Sequence, residues 1–315
     1  MAAPLVGNHA QSLKRGRVHV LEGLTFWKLT GSGNDFVFFD ARGGYDPELE
    51  DPAVIDGICD RRGGVGADGI VLFESPAQPD EKELYSIRYF NRDGTLAEFC
   101  GNAALCSVRL ADLLGVLPST DELFRFHSSS GMISGGIRWL GASSDDPTVS
   151  MPQPLDTQTS CDIALDRGEQ RIGFTRVGVP HVVVAVDDLE AVPLVSRGRE
   201  LRMHPSLRNG ANVNFMQQLG PGRWAMRTYE RGVEAETLAC GSGAVAVATL
   251  LAEWKLEPVA NSVKILARGG RELAVSWTRV SAALHPWLSG EGRLVYSGTL
   301  AQPLLSPSQS TSPNA

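Results

Sequence analysis

The sequence is poor in the residues that build disulfide frameworks and metal sites. Its 315 residues include five cysteines, an odd number, and no Cys-X-X-Cys motif. A disulfide scaffold is therefore not expected, and the reduced thiols typical of the cytoplasm are favoured. The six histidines are scattered and form no His-X-X-X-His pair, so the pattern predicts no metal site.

Long apolar runs and blocks of one charge are also missing. No stretch approaches the ~20 apolar residues that span a membrane, and residues 1–23 lack the apolar core of a signal peptide. We expect residues 1–23 and the Ser/Pro-rich residues 302–315 to be disordered, and the protein to be cytoplasmic. The net charge of −7, without a Lys/Arg block, argues against nucleic acid and membrane partners.

What the chain does contain is a pair of short segments built alike around a cysteine. Residues 98–104 read Glu-Phe-Cys-Gly-Asn-Ala-Ala, and residues 238–244 read Leu-Ala-Cys-Gly-Ser-Gly-Ala. Each cysteine precedes a run typical of a helix, so it meets unpaired N–H groups and the positive end of the helix dipole. This position is expected to lower the pKa of the thiol. Two such thiols, Cys100 and Cys240, suggest a site that handles a proton from two opposite faces.

The remaining cysteines have a simpler interpretation. Cys59, Cys106 and Cys161 stand in no comparable motif, and a single cysteine is most often a small buried apolar residue. The same interpretation would suit Cys100 or Cys240 taken alone. Their matched settings favour a functional pair.

Landmarks recur along the chain at a nearly constant offset. Cys100 and Cys240 lie 140 positions apart, and the turns at Asn34 and Val179 lie 145 positions apart. Such a repeat indicates two similar halves, and the turn-rich segment 141–154 is the expected boundary between them.

Each cysteine motif is predicted to open a helix, over about residues 101–114 and 241–254. The second of these is apolar on nearly every face between residues 244 and 252. A helix of this kind is buried on all sides, as it would be if a curved sheet surrounded it.

Three further features bear on function. Gly64–Gly69 matches Gly-X-Gly-X-X-Gly, but a predicted helix precedes it and a predicted strand follows it, which is the reverse of the dinucleotide-binding order. The adjacent Glu230 and Arg231 carry the charges that would recognise the ammonium and carboxylate of an amino acid. His181 heads an apolar strand, where it is either a structural residue or a supporting residue of the site.

Taken together, the motifs resemble those of the diaminopimelate epimerase family. They cover the chain from about Phe26 to Leu300 and occur in the order found in that family. They are Lys28–Phe36, Gly64–Gly69, Phe90–Gly94, Cys100–Asn102, Asn212–Phe215, Glu230–Gly232 and Cys240–Gly243.

The resemblance implies an α/β (α+β) fold. Two pseudo-symmetric domains are expected, each a curled mixed β-sheet around a central helix, with the active site in the cleft between them. The N-terminal domain would comprise residues 24–150, completed by a returning C-terminal strand within about 288–301. The C-terminal domain would comprise residues 151–287.

The resemblance also implies a reaction, the interconversion of LL- and meso-2,6-diaminopimelate in lysine and cell-wall precursor synthesis, with no cofactor and no metal. Cys100 and Cys240 would be the acid/base pair. The implied substrate-binding residues are Asn34, Asn91, Gly101, Asn102, Asn212, Glu230, Arg231, Gly241 and Ser242, with His181 in support. Backbone N–H groups at the two helix starts would hold the reacting carboxylate.

One departure from the family leaves alternatives open. Val179 stands where the family usually has Asn in Gly-Asn-Pro-His, and losing one hydrogen bond costs about 0.5–1.5 kcal/mol. A cofactor-independent racemase or epimerase of another amino acid (proline, hydroxyproline or histidine type) therefore remains a rival hypothesis. A non-catalytic amino-acid-binding protein is a second rival. Each hypothesis makes a small amino acid the partner, and a homodimer is one option for the oligomeric state.

Overall fold

A computed structural model describes most of the chain from residue 21 to residue 301. The segments outside the described residues within that span are 77–82, 98, 119–121, 138–144, 208, 259–261 and 281–282. Most of the expected N-terminal extension (residues 1–20) and the expected tail (residues 302–315) also lie outside them, as does part of the expected boundary segment.

The described part of the first half contains seven strands and two α-helices. They are β1 (Thr25–Gly31), β2 (Asn34–Asp40), a short 3-10 helix (Pro47–Glu50), α1 (Pro52–Cys59), β3 (Gly69–Glu74), β4 (Glu83–Asn91), α2 (Gly101–Leu113), β5 (Phe124–Ser128), β6 (Gly131–Ile137) and β7 (Pro147–Ser150).

The described part of the second half contains ten strands and two α-helices. They are β8 (Leu155–Gln158), β9 (Glu169–Val177), β10 (Val179–Val186), α3 (Leu194–Arg202), β11 (Asn212–Gly220), β12 (Arg223–Glu230), β13 (Ala235–Thr237), α4 (Gly241–Glu253), β14 (Val263–Leu266), β15 (Glu272–Val280), β16 (Ala283–Ser289) and β17 (Arg293–Thr299).

The two halves repeat one order of strand pairing. In the first half, β1–β2 is antiparallel, β2–β3 parallel, β3–β4 antiparallel and β4–β5 parallel. In the second half, β9–β10, β10–β11, β11–β12 and β12–β14 repeat that alternation. Both cysteine helices, α2 and α4, follow the fourth strand of their series. The duplication expected from the sequence landmarks is therefore confirmed, as is the mixed character of each sheet.

The halves are joined by backbone pairing at two places. β7 of the first half pairs antiparallel with β16 of the second. The last strand, β17, pairs antiparallel with β1, with Phe26 opposite Gly298. The end of the chain thus returns to the first half, as the resemblance implies, while the domain limits at residues 150 and 151 stay a prediction.

Each cysteine helix is the buried core of its half. α4 contacts β9, β10, β11, β15 and β16, and α2 contacts β1, β6, β7 and β17. Nearly every residue of α4 from Gly243 to Leu251 is buried, because its run of Ala, Val and Leu presents an apolar surface in all directions. The sequence interpretation of a helix enclosed by a sheet is confirmed for both halves.

The N-terminal ends of α2 and α4 meet at two glycines. A Cβ added to Gly241 would lie 3.7 Å from the Gly101 Cα and 2.7 Å from the Leu288 Cδ2. A Cβ on Gly101 would lie 3.3 Å from the same Leu288 methyl group. Leu288 is fully buried on β16, the strand that pairs with both halves, and it packs beneath both helix ends. A side chain at Gly241 would collide with Leu288, and one at Gly101 would be tightly packed against it, so glycine allows the close approach of the helices.

We predict that Gly241→Ala destabilises the protein by about 1–3 kcal/mol, since an added methyl group in a filled core forces its neighbours apart. Denaturant unfolding of the wild type and the variant measures the difference.

Gly220→Ala is the matched control, because a Cβ there would meet no atom within 4 Å. It should change the free energy of unfolding by less than ~0.5 kcal/mol. Equal stabilities for the two variants would show that the helix ends are not tightly packed.

Candidate active site

The two thiols occupy equivalent positions at the helix starts. Cys100 and Cys240 are the N-cap residues of α2 and α4, with backbone angles (φ, ψ) of −141°, 108° and −137°, 106°. The Cys100 Sγ accepts a hydrogen bond from the Ala103 N–H at 3.5 Å. The Cys240 Sγ lies 3.6 Å from the Ser242 Oγ. The structure thus brings together the two residues that the sequence singles out as an acid/base pair.

The helix starts also present free backbone donors. The first hydrogen bonds inside the helices run from Ala104 N to Cys100 O and from Ala244 N to Cys240 O. The N–H groups of the first residues of each helix, Gly101 and Gly241 among them, therefore have no carbonyl partner within the helix. Because the two ends adjoin, an anion placed between them would meet N–H groups and positive dipole ends from both sides.

Burial reverses the shift in thiol pKa that the sequence predicts. It raises the pKa of Cys100 to about 11, against the opposing effect of the Ala103 N–H. Burial and then the Glu230 carboxylate raise the pKa of Cys240 to about 12, opposed by the Ser242 hydroxyl. The prediction of a lowered pKa is therefore wrong for this state of the protein. Desolvation of a thiolate outweighs what a helix start contributes.

Asn102 and Asn34 are linked in a chain that ends at the surface. Asn102 Nδ2 donates to Asn34 Oδ1 at 2.7 Å, and Asn34 Nδ2 donates to Asp68 Oδ2 at 3.0 Å. Arg61 binds both Asp68 and Asp35. Only the amide nitrogen of Asn102 is used in this chain, and the buried Asn102 Oδ1 has no hydrogen-bond partner among the described residues. It lies close to Gly241, so a bare acceptor faces the junction of the helices.

A second chain of polar side chains reaches the site from the second half. His181 is fully buried on β10, with its Nε2 at 3.1 Å from Ser242 Oγ. Asn214 on β11 places its Nδ2 at 3.2 Å from His181 Nδ1. Burial and then the Arg231 guanidinium lower the pKa of His181 to about 3, so its ring is neutral.

The charged pair and two of the asparagines lie at or next to strand ends, and Glu230 acts on both thiols. Glu230 ends β12, and burial raises its pKa, while the nearby Thr237 hydroxyl opposes the shift. The N–H of Arg231 donates to Asn212 Oδ1 at 2.8 Å. Asn91 ends β4, and its amide donates to Thr95 within its own turn. The structure therefore connects Asn212 to the charged pair and leaves Asn91 joined to a local turn.

Sequence reasoning missed three residues that organise the site. Asp68 orients Asn34, Asn214 contacts His181, and Leu288 supports both helix ends. The first two lie inside motifs that the sequence displays, the Gly-rich segment and Asn212–Phe215, which was the available signal. Leu288 stands in no motif, and only its position on the strand shared by both halves reveals it.

These features match a known family. The family model of diaminopimelate epimerase matches residues 26–138 and 173–285, one segment in each half. The chain belongs to the diaminopimelate epimerase family.

Curated relatives agree with that assignment. The diaminopimelate epimerase of Gemmatimonas aurantiaca is 38% identical over 287 residues, covering 88% of this chain and 99% of the relative. That of Aquifex aeolicus is 35% identical over 293 residues, covering 90% and 99%. The family resemblance drawn from the motifs is confirmed.

Similar folds occur in proteins of other names. A Bacillus anthracis phenazine biosynthesis protein of the PhzF family has a TM-score of 0.67 at 13% identity, covering 88% of this chain and 98% of its own. A hydroxyproline epimerase from Agrobacterium vitis has a TM-score of 0.64 at 18% identity, covering 90% and 93%. At these identities the likeness shows the fold alone, and it confirms the expected architecture.

The described residues contain neither a membrane-spanning helix nor a cluster of metal ligands. No helix there is long and apolar enough to cross a membrane, and no group of three or more His, Cys, Asp or Glu side chains is placed to hold a metal ion.

We predict that alkylation of Cys100 and Cys240 by iodoacetamide accelerates about tenfold per pH unit from pH 7 to pH 9. Both pKa values lie above this range, so the reactive thiolate fraction is still growing at pH 9. Rate constants for each cysteine come from peptide mass spectrometry of the ligand-free protein.

A short unstructured peptide with blocked ends and one cysteine, with an ordinary thiol pKa near 8.5, is the reference, and its rate should already bend toward a plateau at pH 9. A rate for either site cysteine that stays flat over the range would mean that its thiolate is present at pH 7.

Proposed function

We propose that this chain interconverts LL- and meso-2,6-diaminopimelate by inverting one α-carbon, as the names of its relatives indicate for those proteins. The observation that carries the proposal is the meeting of two cysteine-capped helix starts at Gly101 and Gly241. A carboxylate bound between them leaves its α-carbon between two thiols. The product would serve as a precursor for lysine and the bacterial cell wall.

The chemistry requires one thiol on each face of the carbon. One cysteine, as thiolate, removes the α-proton, and the electron pair of the C–H bond passes into the carboxylate as an enediolate. The other cysteine, as thiol, gives its proton to the opposite face of the carbon and becomes the thiolate. N–H groups from α2 and α4 stabilise the charge that develops on the carboxylate oxygens. No oxidant or reductant is needed.

Polar groups around the helix junction fit the rest of the substrate. The bare Asn102 Oδ1 is an acceptor suited to the α-ammonium group next to the reacting carbon. Glu230 and Arg231 carry the charges that complement the distal ammonium and carboxylate, and Asn212 is hydrogen-bonded to the Arg231 N–H. A zwitterion at both ends of the ligand is what distinguishes diaminopimelate from a simple amino acid.

The raised thiol pKa values suit a site that fills and closes before it reacts. A buried thiolate is poorly solvated, which makes it a stronger base toward a carbon acid. The substrate ammonium group also brings a positive charge close to the thiols, and an opposite charge lowers a thiol pKa. We therefore propose that substrate binding itself produces the reactive thiolate.

We predict that LL-diaminopimelate incubated with the protein in deuterated water gains deuterium at one α-carbon and is converted to the meso form. Cys100→Ala and Cys240→Ala should each lower the epimerisation rate about 10²–10⁴-fold, the range typical of general acid–base groups. NMR follows the exchange, and chiral chromatography follows the product.

Cys59→Ala is the control for thiol removal. Cys59 is buried in the core that lies beside α1 and should affect stability without affecting the rate. Absence of exchange with the wild type would refute the proposal.

A substrate panel separates the rival functions. Racemisation of proline, hydroxyproline or histidine with none of diaminopimelate would show that the chain is a racemase or epimerase of another amino acid, the rival that Val179 motivates. Binding of an amino acid without any exchange would show that the chain is a non-catalytic amino-acid-binding protein. The pair of thiols favours a catalytic function, because binding an amino acid requires neither thiol.

We propose a reducing, cytoplasmic setting and a homodimer. Reduced thiols are needed for proton transfer, and a disulfide between them would remove both. Among the described strands β17 pairs only with β1, and Val295 and Tyr296 on it are 46% and 43% exposed. An open edge with exposed apolar side chains invites pairing with the same strand of a second copy.

We predict that light scattering gives a mass of about twice 33.8 kDa, the mass of one chain. Val295→Lys should reduce that mass to one chain, since a charge on an edge strand opposes edge pairing.

Val233→Lys is the matched control, because Val233 is also exposed but lies in a turn of the second half. A wild-type protein of single mass, or a dimer that persists with Val295→Lys, would contradict this assembly.

A further inference from the structure

The position of Asn214 determines which nitrogen of the buried His181 ring carries the proton. Its Nδ2 lies 3.1 Å from the carbonyl oxygen of Val182 and 3.2 Å from His181 Nδ1. A carbonyl oxygen only accepts hydrogen bonds, so the amide nitrogen must be the atom on this side. The Thr228 hydroxyl donates to Asn214 Oδ1 at 3.0 Å and holds the amide in this orientation.

That orientation leaves one state open to the ring. An amide N–H pointing at His181 Nδ1 requires a lone pair there, because a proton on Nδ1 would oppose the proton of the amide. The neutral ring must then carry its proton on Nε2. The Nε2–H faces Ser242 Oγ at 3.1 Å, so the hydroxyl oxygen is the acceptor of that bond.

The hydroxyl proton of Ser242 is therefore free to point elsewhere. The next atom within reach is Cys240 Sγ at 3.6 Å, an acceptor when the thiol is ionised. We propose that Asn214 is a positioning residue that holds His181 with its proton on Nε2, so that Ser242 directs its own proton to the sulfur of Cys240. The order of donation is Asn214 to His181, His181 to Ser242, and Ser242 to Cys240.

The packing around Asn214 supports a fixed arrangement. Asn214 and His181 are fully buried. A Cβ on Gly243 would collide with Asn214 Oδ1 and lie 3.2 Å from Cys240 Sγ. The second glycine of Cys-Gly-Ser-Gly thus makes room for the amide and the sulfur at once.

This relay of hydrogen bonds, from Asn214 through His181 and Ser242 to Cys240, makes the two halves unequal. The residue of α2 that corresponds to Ser242 is Asn102, whose side chain donates to Asn34 rather than to a sulfur. Cys100 receives its hydrogen bond from the backbone of Ala103. A hydroxyl therefore supports the thiolate of Cys240, and a main-chain N–H supports that of Cys100.

Ionisable groups from other elements influence Cys240 and His181. Glu230 and the second thiol, Cys100, act on Cys240, and Arg231 acts on His181. Both influences on Cys240 disfavour its thiolate, so the Ser242 donor opposes them. Burial and then the positive charge of Arg231 keep the ring neutral, which the relay requires.

The first test measures the proton position directly. In protein labelled with ¹⁵N-histidine, the His181 signals, identified by their loss in His181→Gln, should show a protonated Nε2 and an unprotonated Nδ1 at pH 7. A proton on Nδ1, or a doubly protonated ring, would overturn the proposal.

The second test follows the thiols of the ligand-free protein. Ser242→Ala should slow alkylation of Cys240 by iodoacetamide about tenfold at pH 8, since a hydrogen bond to a charged acceptor is lost, and leave Cys100 unchanged. Thr249→Val is the matched control, because Thr249 is a buried hydroxyl of the same helix that bonds to the Val245 carbonyl. Equal slowing of both thiols, or none, would overturn the proposal.

A double-mutant cycle shows whether the residues act in series. Asn214→Ala should slow Cys240 alkylation less than Ser242→Ala does, because the ring then exchanges between its two tautomers. The double variant should be no slower than Ser242→Ala alone. Additive effects would mean that Asn214 acts by another route.

The consequence for catalysis rests on the proposed function. Ser242→Ala and Asn214→Ala should lower kcat for epimerisation with little change in KM. The NMR and alkylation experiments need no substrate, so they remain decisive if the protein acts on a different amino acid.

Discussion

The contact between two helix starts is the constraint on which the site depends. Gly101 and Gly241 adjoin because neither carries a side chain, and Leu288 fills the space beneath both. Each helix carries a cysteine one residue before this contact. The spacing of the thiols and the direction of the free N–H groups therefore follow from packing at a single point. A small change in that packing would move the acid, the base and the anion site together.

The duplicated fold places this contact at the centre of the molecule. β7 and β16 pair across the two halves, so the strand carrying Leu288 belongs to both. The return of β17 to β1 closes the first half with the end of the chain. Backbone hydrogen bonds thus connect the halves at their sheets, and the cysteine helices are held by sheets on their outer faces.

Burial of the site shifts the pKa values of its acids and of its base in opposite directions. Removal from water raises the pKa of both thiols and of Glu230, and it lowers that of His181. Each of these shifts disfavours the charged form of the group. Hydrogen bonds then act as the finer adjustment, and they differ between Cys100 and Cys240. Two thiols with matched backbones are consequently unlike in their chemical surroundings.

The local features of the site could be read from the chain itself. The helices predicted over about residues 101–114 and 241–254 are observed over Gly101–Leu113 and Gly241–Glu253. The repeat and the apolar character of the second helix were equally visible, because turn residues, helix caps and hydrophobic periodicity act over a few neighbouring positions. The motifs sufficed to identify the family. They also named Cys100 and Cys240 as the pair to examine.

Only the tertiary structure decided how those residues behave. The sign of the thiol pKa shift depends on burial by strands distant in sequence, so reasoning from the helix start alone predicted the wrong direction. The roles of Asp68, Asn214 and Leu288 depend on contacts with residues at least 33 positions away. The sequence by itself determined the elements and the two cysteines. The approach of distant segments, and the desolvation that comes with it, determined their protonation and orientation.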